Sequence, residues 1–351
     1  MKHFLRYIIG IIFIISGVVK AIDSVGFSFK LEEYFSPVVF NMPFLESFAL
    51  PIAVFVSALE VVLGLMLLLS IHLRKTLWAL IALCVFFAFL TFYSAYYNVV
   101  TDCGCFGDAV KFTLWQSFWK DIVLLMGLLI LLGLDKKTET TEVSKARWTM
   151  LWALCGLLAV IIGIGIVQEP IIDFRDYKIG TDLKAEKKKL EDQPSEYKTF
   201  YVLKNKTTQE EKKMSQDEYV AEPKYWEEGT PWEIQKDKTT SEIVKEGYQS
   251  EIAKFRIENA EGTDLTADII NAPKAVLVFS YKPQDLSVEE VEKAEAKALA
   301  KAQNAMIVGV STQTNTFKNI KNATMDGTAI KTIARSNPFI LVLENGVVVE
   351  K

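Results

Sequence analysis

Residues 49–70 read ALPIAVFVSALEVVLGLMLLLS, and this stretch decides the fold of the first half of the chain. Glu60 is its only charged side chain, and the rest of the stretch is apolar or small. A helix of about 20 apolar residues is long enough to cross the hydrocarbon core of a bilayer. We therefore predict that residues 49–70 form a membrane-spanning helix.

Four more apolar runs occur in the first half of the chain. They comprise residues 4–22, 76–98, 114–134 and 148–167. The first run follows Lys2, as the core of a secretory signal peptide would, but it lacks a clear small-x-small cleavage site and further spans follow it. We therefore predict five membrane-spanning helices, the first of them retained.

Basic side chains in the connecting segments predict how the helices cross the membrane. They precede the first span, separate the second from the third, and separate the fourth from the fifth: Lys2, Arg6, Arg74, Lys75, Lys136, Lys137, Lys145 and Arg147. Segments of this kind stay in the cytoplasm by the positive-inside rule. The prediction is a multi-pass protein of the cell inner (cytoplasmic) membrane, with a cytoplasmic N-terminus and residues 169–351 in the periplasm.

The charge of the chain excludes several classes of function. The net charge of −4 argues against a nucleic-acid partner, because phosphate binding needs a basic surface. His3 and His72 are the only two histidines, and both lie near predicted membrane boundaries, which argues against a His-based catalytic triad or a multi-histidine metal site. Residues 169–351 carry most of the 39 basic and 43 acidic side chains, so the chain combines an apolar and a polar region.

We divide the chain into three regions on this basis. Residues 1–135 are predicted to form a four-helix membrane domain, and residues 136–168 a cytoplasmic loop and the fifth transmembrane helix. Residues 169–351 are predicted to form a periplasmic α/β domain with a charged insertion at about 184–250.

Residues 252–351 show an orderly alternation of strands and helices. Strands are predicted at 275–280 and 305–310, a helix at 286–304, and a hairpin at 339–349 with Asn345-Gly346 at its turn. This order resembles the thioredoxin fold over residues 259–351. The resemblance implies a cis proline at position 338 and contact with a partner at Tyr281, Pro283, Asn337 and Pro338.

Two features depart from the thioredoxin pattern. Residues 280–285 read SYKPQD where redox-active relatives carry CxxC, and the hairpin is not followed by the usual final helix. We therefore expect a domain without redox chemistry of its own, whose role is partner recognition. We also expect residues 171–204 or a partner to cover the sheet face that the missing helix leaves open.

Cys103 and Cys105 are separated by one glycine in the loop TDCGCFGD, residues 101–108, which the predicted topology places on the oxidising side. A disulfide that closes so small a ring is strained, and strain raises the reduction potential, which suits an exchange catalyst. A structural disulfide or a pair of reduced thiols is the alternative, and a metal site is short of ligands. We take Cys103 and Cys105 as candidate catalytic residues, and assign Cys84 and Cys155 to packing.

Charged side chains also fall inside the predicted spans. Glu60 lies near the middle of the second span, where a carboxylate costs about 2.5–3.5 kcal/mol on insertion scales and needs a partner. Lys20 is that partner if it points inward. Asp121 lies in the fourth span, and its neighbour Lys120 can extend outward. Glu60, Asp121 and Lys20 either handle protons and bind a quinone, or fix the bundle through interhelical hydrogen bonds.

Three motifs together resemble the DoxX/MauE group of four-helix membrane proteins: Ser16-Gly17-Val-Val-Lys20-Ala21, Glu60-Val-Val-Leu-Gly64 and Cys103-Gly-Cys105-Phe-Gly107. The resemblance covers residues 1–134 and is greatest to a type found in Bacteroidota, with a fifth span and a cysteine-free thioredoxin-like tail. It implies a bundle comparable to those of DsbB and vitamin K epoxide reductase, which are quinone-linked disulfide enzymes. This chain departs from both because it has no second reactive cysteine pair.

The expected fold is therefore a membrane α-helical bundle, four-helix DoxX/MauE-like plus a fifth transmembrane helix, followed by an α/β thioredoxin-like periplasmic domain. The expected function is periplasmic thiol–disulfide or quinone-linked redox work, with a membrane quinone as the candidate cofactor. The expected partners are a periplasmic or membrane protein and the lipid bilayer. The alternative is a non-enzymatic membrane anchor or scaffold subunit of a cell-envelope complex.

Overall fold

Helices make up the membrane half of the chain. The computed structural model describes residues 2–100, 104, 106–110, 112–135, 143–302 and 304–351. The first helices are α1 (Lys2–Ile22), α2 (Ser24–Phe35), α3 (Ala49–Leu69), α4 (Leu73–Tyr97), α5 (Leu114–Leu134) and α6 (Lys145–Val167). Among the described residues, five helices are long and apolar enough to span a membrane, namely α1, α3, α4, α5 and α6. The five predicted spans are therefore confirmed, to within a few residues at each end.

Close approach between α1 and α3 depends on glycine. A Cβ atom on Gly17 would lie 2.9 Å from the carbonyl oxygen of Ser57, and one on Gly64 would lie 3.0 Å from that of Gly10. Small residues at such contacts let the backbones of two membrane helices come together. The seam between α1 and α3 also carries Lys20.

The short helix α2 connects the first two spans. Asp23 caps its N-terminus and accepts a hydrogen bond from the backbone N–H of Gly26 at 2.8 Å, as N-cap aspartates do. Phe27 and Leu31 are buried in an apolar cluster with the start of α3. Another face of α2, which includes Phe29, contacts the C-terminal part of the chain.

The charged insertion contains a helix and a small antiparallel sheet. Its elements are α7 (Leu183–Asp192), β1 (Glu196–Asn205), β2 (Glu211–Ser215), α8 (Gln216–Ala221), β3 (Trp232–Ile234) and β4 (Thr240–Lys245). Strand β1 pairs with each of the other three strands. Leu203, Met214 and Tyr225 form a small core of their own, so the insertion has structure beyond a solvated charge run.

A second sheet organises the last part of the chain. Its elements are α9 (Thr266–Asn271), β5 (Lys274–Ser280), α10 (Val288–Lys301), β6 (Met306–Ser311), β7 (Lys321–Thr324), α11 (Gly327–Ile333), β8 (Phe339–Glu344) and β9 (Val347–Glu350). The strand order is β7-β6-β5-β8-β9, with β5, β6 and β7 parallel and β8 antiparallel to both β5 and β9. The predicted hairpin turn is confirmed, because Asn345 and Gly346 have φ angles of 50° and 85°, as this turn requires. Strand β7 is not predicted by apolar pattern, since its residues, KNAT, are mostly polar.

Both faces of this second sheet are covered. On one face, Val291 of α10 joins Val276 of β5 in an apolar cluster. On the other face, Leu277 joins Tyr177 and Leu183, which precede the insertion. Tyr177 and Leu183 of the 171–204 segment therefore cover the sheet face that also carries α9 and α11, and not the face that carries α10.

The C-terminal domain, residues 169–351, is docked on one end of the bundle. Arg335 contacts Asp23 at the start of α2, and it also contacts Asp108 in the loop between α4 and α5. The loop that contains both candidate catalytic cysteines therefore belongs to the end of the bundle that faces the C-terminal domain. The sequence-based topology likewise places this loop and residues 169–351 on one side of the membrane.

Candidate functional site

Gly104, between the two cysteines in the sequence, lies against α2. Cys103 and Cys105 lie outside the described residues, but Gly104 between them is buried and has a φ angle of 61°. A Cβ atom on Gly104 would lie 3.2 Å from Cγ of Lys30 in α2. The carbonyl of Gly104 accepts a hydrogen bond from the backbone N–H of Gly107 at 3.1 Å. Both the positive φ angle and the close contact favour glycine at position 104.

A buried ion pair joins α1 to α3. The Lys20 ammonium donates to Oε2 of Glu60 at 2.5 Å and to Oγ of Ser16 at 3.1 Å, and Ser16 donates to Oε1 of Glu60 at 3.2 Å. The side chains of Lys20 and Glu60 are 1% and 3% exposed. Ser16 and Lys20 are four residues apart and therefore share one face of α1. The pairing of Glu60 with Lys20 is confirmed, whereas its role stays a prediction.

Aromatic rings complete the surroundings of the Lys20 ammonium. Nζ lies 4.8 Å from the ring centroid of Phe87 and 5.4 Å from that of Phe27. Cations are attracted to ring faces at such distances, more strongly where water is excluded. The ammonium is therefore stabilised by a carboxylate, a hydroxyl and two rings, although it is buried inside the bundle.

A second charged group joins α4 to α5. Oδ1 of Asp121 lies 2.9 Å from Nζ of Lys120, and Oδ2 accepts from Oγ1 of Thr91 at 3.4 Å. The Lys120 side chain turns back to Asp121 and is 21% exposed, so its expected outward extension is only partial. Cys84 donates to the backbone carbonyl of Asp121 at 3.1 Å, which fits the packing role predicted for this cysteine.

One small cavity connects the two charged groups with the cysteine loop. It is lined by Lys20, Glu60, Lys120 and Asp121, and by Phe106, the residue that follows Cys105 in the sequence. Its volume is about 10 Å³, which accommodates one water molecule at most. A quinone ring therefore does not fit between these side chains, and we derive no step through a quinone.

Phe106 links this charged cluster to the loop. Its ring centroid lies 5.2 Å from Nζ of Lys120 and 5.8 Å from the ring of Phe112. Because Phe106 lines the cavity, the charged cluster begins directly beneath the loop. The buried charged cluster and Phe106, which follows Cys105 in the sequence, are thus neighbours in the fold.

The residues predicted for partner contact gather at one end of the neighbouring inner strands β5 and β8. The Asn337–Pro338 peptide bond is cis, and Pro283 begins a short 3₁₀ turn. Asn337 accepts a hydrogen bond from Ser280 at 2.8 Å and donates to the backbone carbonyl of Lys282 at 2.9 Å. The structure brings these residues together, and partner binding there stays a prediction.

Tyr281, directly after β5, faces α2. Its ring lies 5.1 Å from that of Phe29, centroid to centroid, in an edge-on arrangement. Burial, assisted by the nearby Glu32 carboxylate, raises the pKa of Tyr281 to about 12. Its phenol is therefore neutral at physiological pH.

The contacts between the C-terminal domain and α2 could not be predicted from the sequence. Arg335 and Asp23, which lie 2.8 Å apart, are separated by 312 residues in the chain. Lys331 and Glu32, at 2.7 Å, are separated by 299 residues. Neither pair has a local sequence signal, because each consists of ordinary charged residues of two separate regions.

The first part of the chain is similar to a known protein family. Residues 1–134 match the family model described as methylamine utilisation protein MauE. This region is therefore similar to MauE-type membrane proteins. The matched range ends with α5, so it takes in the buried charged cluster and the cysteine loop and stops before α6. No curated protein and no solved structure matches the chain.

Proposed function

We propose that this protein carries out thiol–disulfide exchange at the membrane surface, on the periplasmic side, with Cys103 and Cys105 as the reacting pair. The observation that carries the proposal is the buried charged cluster of the MauE-like region, which lies directly beneath the cysteine loop and is closed by Phe106. Charged residues inside a membrane domain are costly and mark functional sites by default. A cluster that served packing alone would not need to adjoin this loop.

The reaction proposed is a two-step exchange. A thiolate of the partner attacks one sulfur of the Cys103–Cys105 disulfide, the disulfide bond breaks, and a mixed disulfide with the partner forms. The partner's second thiolate then attacks the mixed disulfide and releases both cysteines of the loop as thiols. Two electrons and two protons pass from the partner's dithiol to the loop.

Asp121 is the group we propose to hold a proton during this exchange. Its carboxylate pairs with Lys120 at 2.9 Å, and the Lys120 ammonium lies 5.2 Å from the ring of Phe106. Nearby charges set the proton affinity of a carboxylate, so a change of charge at the loop would alter whether Asp121 holds a proton. The more enclosed Lys20–Glu60 pair fixes α1 to α3, and so keeps Asp121 and the loop in register.

The C-terminal domain contributes recognition in this proposal. We infer that residues 259–351 form a thioredoxin-like domain without redox cysteines. In support, β5 and β6 are parallel with α10 between them in the chain, and the antiparallel hairpin β8–β9 follows α11. Residues 169–351 contain no cysteine, so this domain binds and does not exchange.

Thiol trapping of the full-length protein in its own membranes tests the exchange. Cells are quenched with acid, and free thiols are labelled with a maleimide that adds mass. In a Cys84→Ser/Cys155→Ser background, we expect the loop cysteines to change between oxidised and reduced forms when the cells meet an oxidant or a reductant. We expect Cys103→Ser or Cys105→Ser to accumulate a mixed disulfide with a partner. Loop cysteines that stay oxidised under every condition, with no mixed disulfide, would refute the proposal.

A scaffold without chemistry is the second candidate function. The observation in its favour is that Glu60 and Asp121 each have an ion-pair partner and a hydroxyl partner. Buried carboxylates with such partners are also typical of groups that only fix the packing of helices. Permanently oxidised cysteines in the trapping experiment would favour this candidate.

A further inference from the structure

A cleft of about 360 Å³ lies between α2 and the C-terminal domain. This volume falls at the lower end of the range for sites that bind small molecules. Six basic and six acidic side chains line the cleft, so the charges of its lining cancel in sum. A purely anionic ligand would need an excess of positive charge, whereas a ligand with one group of each sign matches this lining.

Ion pairs between the two walls use many of these charges. Glu32 of α2 accepts from Lys282 at 3.0 Å and from Lys331 at 2.7 Å. Arg335 of the C-terminal domain donates to Asp108 at 2.9 Å. Because the charges of these groups compensate one another, a ligand in the cleft has to use other side chains.

A carboxylate and an ammonium of the lining are available to a ligand. Glu46 lies in the 3₁₀ helix Pro43–Phe48, before α3, and its side chain makes no hydrogen bond or ion pair with any other residue that the structure describes. Lys254, on the wall formed by the C-terminal domain, is exposed and pairs with Glu251 of its own turn at 2.8 Å. The cleft thus offers one charge of each sign, on opposite walls.

The order of the elements places the cleft at the level of the membrane surface. Helix α1 ends at Ile22 and the next apolar span begins at Pro43, so the segment between them, which includes α2, stays at one surface of the bilayer. Val38, Phe44 and Phe48 in and beside this segment are exposed. Exposed apolar side chains at the end of a span are favourably placed in the interfacial region of the bilayer. Lipid headgroups are therefore the ligands present at the highest concentration beside the cleft.

The lining also discriminates between kinds of ammonium group. Quaternary ammonium groups, such as that of choline, are recognised by cages of aromatic rings. Phe29 is the one aromatic residue in the described lining, and the charged groups of Lys331 and Arg335 already lie 5.2 Å and 5.7 Å from its ring centroid. A primary ammonium has three N–H donors, which the Glu46 carboxylate can accept. The cleft therefore favours a primary amine.

We propose that the cleft binds the headgroup of a zwitterionic phospholipid with a primary amine, of the phosphatidylethanolamine class. The phosphate diester is bound by Lys254 and the ammonium by Glu46, while the acyl chains stay in the bilayer. The same two charged groups occur in soluble glycerophosphoethanolamine, so the test has to distinguish the lipid from the soluble compound. This site does not involve the cysteines, and the proposal is independent of the proposed thiol–disulfide exchange.

Lipid retention by the full-length protein tests the site. The protein is reconstituted in phosphatidylcholine nanodiscs that contain equal amounts of phosphatidylethanolamine and phosphatidylglycerol, and the lipids that stay bound on release are counted by native mass spectrometry. We expect phosphatidylethanolamine to be retained in excess of its share of the bilayer. Glu46→Gln and Lys254→Gln should each lower this retention about tenfold, since one hydrogen bond between charged groups is worth about this factor. The matched controls are Glu211→Gln and Lys238→Gln, at an exposed pair in the insertion, which should retain lipid like the parent.

Hydrogen exchange of residues 24–35 gives a second readout, which needs no variant. Exchange in α2 should be slower in nanodiscs that contain phosphatidylethanolamine than in phosphatidylcholine alone, and soluble glycerophosphoethanolamine should protect α2 much less, because it lacks the acyl anchor. Retention of the lipids in the proportions of the bilayer, a preference for phosphatidylglycerol, or parent-like retention by Glu46→Gln would overturn the proposal. Equal protection of α2 by the soluble compound would overturn the assignment to a lipid. The thiol-trapping experiment tests the exchange separately, so the two proposals can fail independently.

Discussion

Replacing Glu60 by leucine should destabilise the bundle more than replacing Glu60 and Lys20 together by apolar side chains. In the single variant, the Lys20 ammonium stays buried and keeps only the Ser16 hydroxyl and two aromatic rings as partners. In Glu60→Leu/Lys20→Met, no charge remains between α1 and α3. A buried charge without its partner is costly, whereas replacing the whole pair by apolar groups is often nearly neutral.

The size of the effect follows from the burial of the pair. Removing one partner of a buried ion pair costs about 3–5 kcal/mol in soluble proteins. Interhelical hydrogen bonds in membranes are worth about 0.6 kcal/mol on average and up to about 1.7. Lys20 lies in the last turn of α1, so its ammonium can partly reach the helix end. We therefore expect Glu60→Leu to lose about 3 kcal/mol, Glu60→Gln about 1, and the double variant about 1.

The measurement is unfolding of the full-length protein in mixed detergent micelles, followed by tryptophan fluorescence as the denaturing detergent is raised. Asp135→Leu is the matched control, because Asp135 pairs with Lys2 at 2.7 Å but the Lys2 side chain is 32% exposed. Partly exposed pairs contribute about 1 kcal/mol or less. If Glu60→Leu unfolds like the parent, or if the double variant loses as much as Glu60→Leu, the assigned role of the pair is wrong.

Three further predictions concern the C-terminal domain and the topology. Burial opposes ionisation of Asp173, yet Arg175 and Lys351 outweigh it and hold its pKa at about 2, below the usual 3.8. The Asp173 carboxylate therefore stabilises the folded protein above the unfolded-state pKa, and about 2 kcal/mol of the free energy of unfolding is lost as the pH falls from about 4 to about 2. The Asp173→Asn variant should lack this loss when its acid denaturation is measured. Glu295 is 1% exposed and accepts three hydrogen bonds from the loop after β6. Glu295→Ala should therefore lower the free energy of unfolding by about 3 kcal/mol. An unchanged melting temperature would contradict this prediction. A reporter fused after Lys351 should be active only outside the cytoplasm, and one inserted at Thr140 only inside; activity on one side for both would refute the topology.

The parts of the fold that follow from hydropathy could be predicted from the sequence. Each spanning helix is a predominantly apolar run of bilayer length, and residues 275–279 of the buried strand β5 are apolar throughout. Strand β7 could not be predicted, because it is held by parallel pairing with β6 and not by its own composition. Residues 198–203 of β1, KTFYVL, are typical of a strand and could be predicted, whereas β2, EKKMS, is mostly charged and is held by its antiparallel pairing with β1.

The part of the candidate site that could be predicted is the pairing of charged side chains that are buried in the bundle. Glu60 inside a span needs a partner, and Lys20 was the lysine within reach on the neighbouring helix. The turn of Lys120 toward Asp121 depends on Phe106 and the loop above it, which no periodicity encodes. The docking of Arg335 on Asp23 depends on the arrangement of two whole domains.

Glu32 has a consequence for how sequences of this kind diverge. Its carboxylate joins two lysines that lie 250 and 299 residues further along the chain. Replacement of Glu32 by a basic residue should be tolerated chiefly in lineages in which Lys282 and Lys331 are also replaced. Substitutions at position 32 in the apolar half should therefore be correlated with substitutions at positions 282 and 331 in the polar half. The two halves would then evolve together, although their compositions differ.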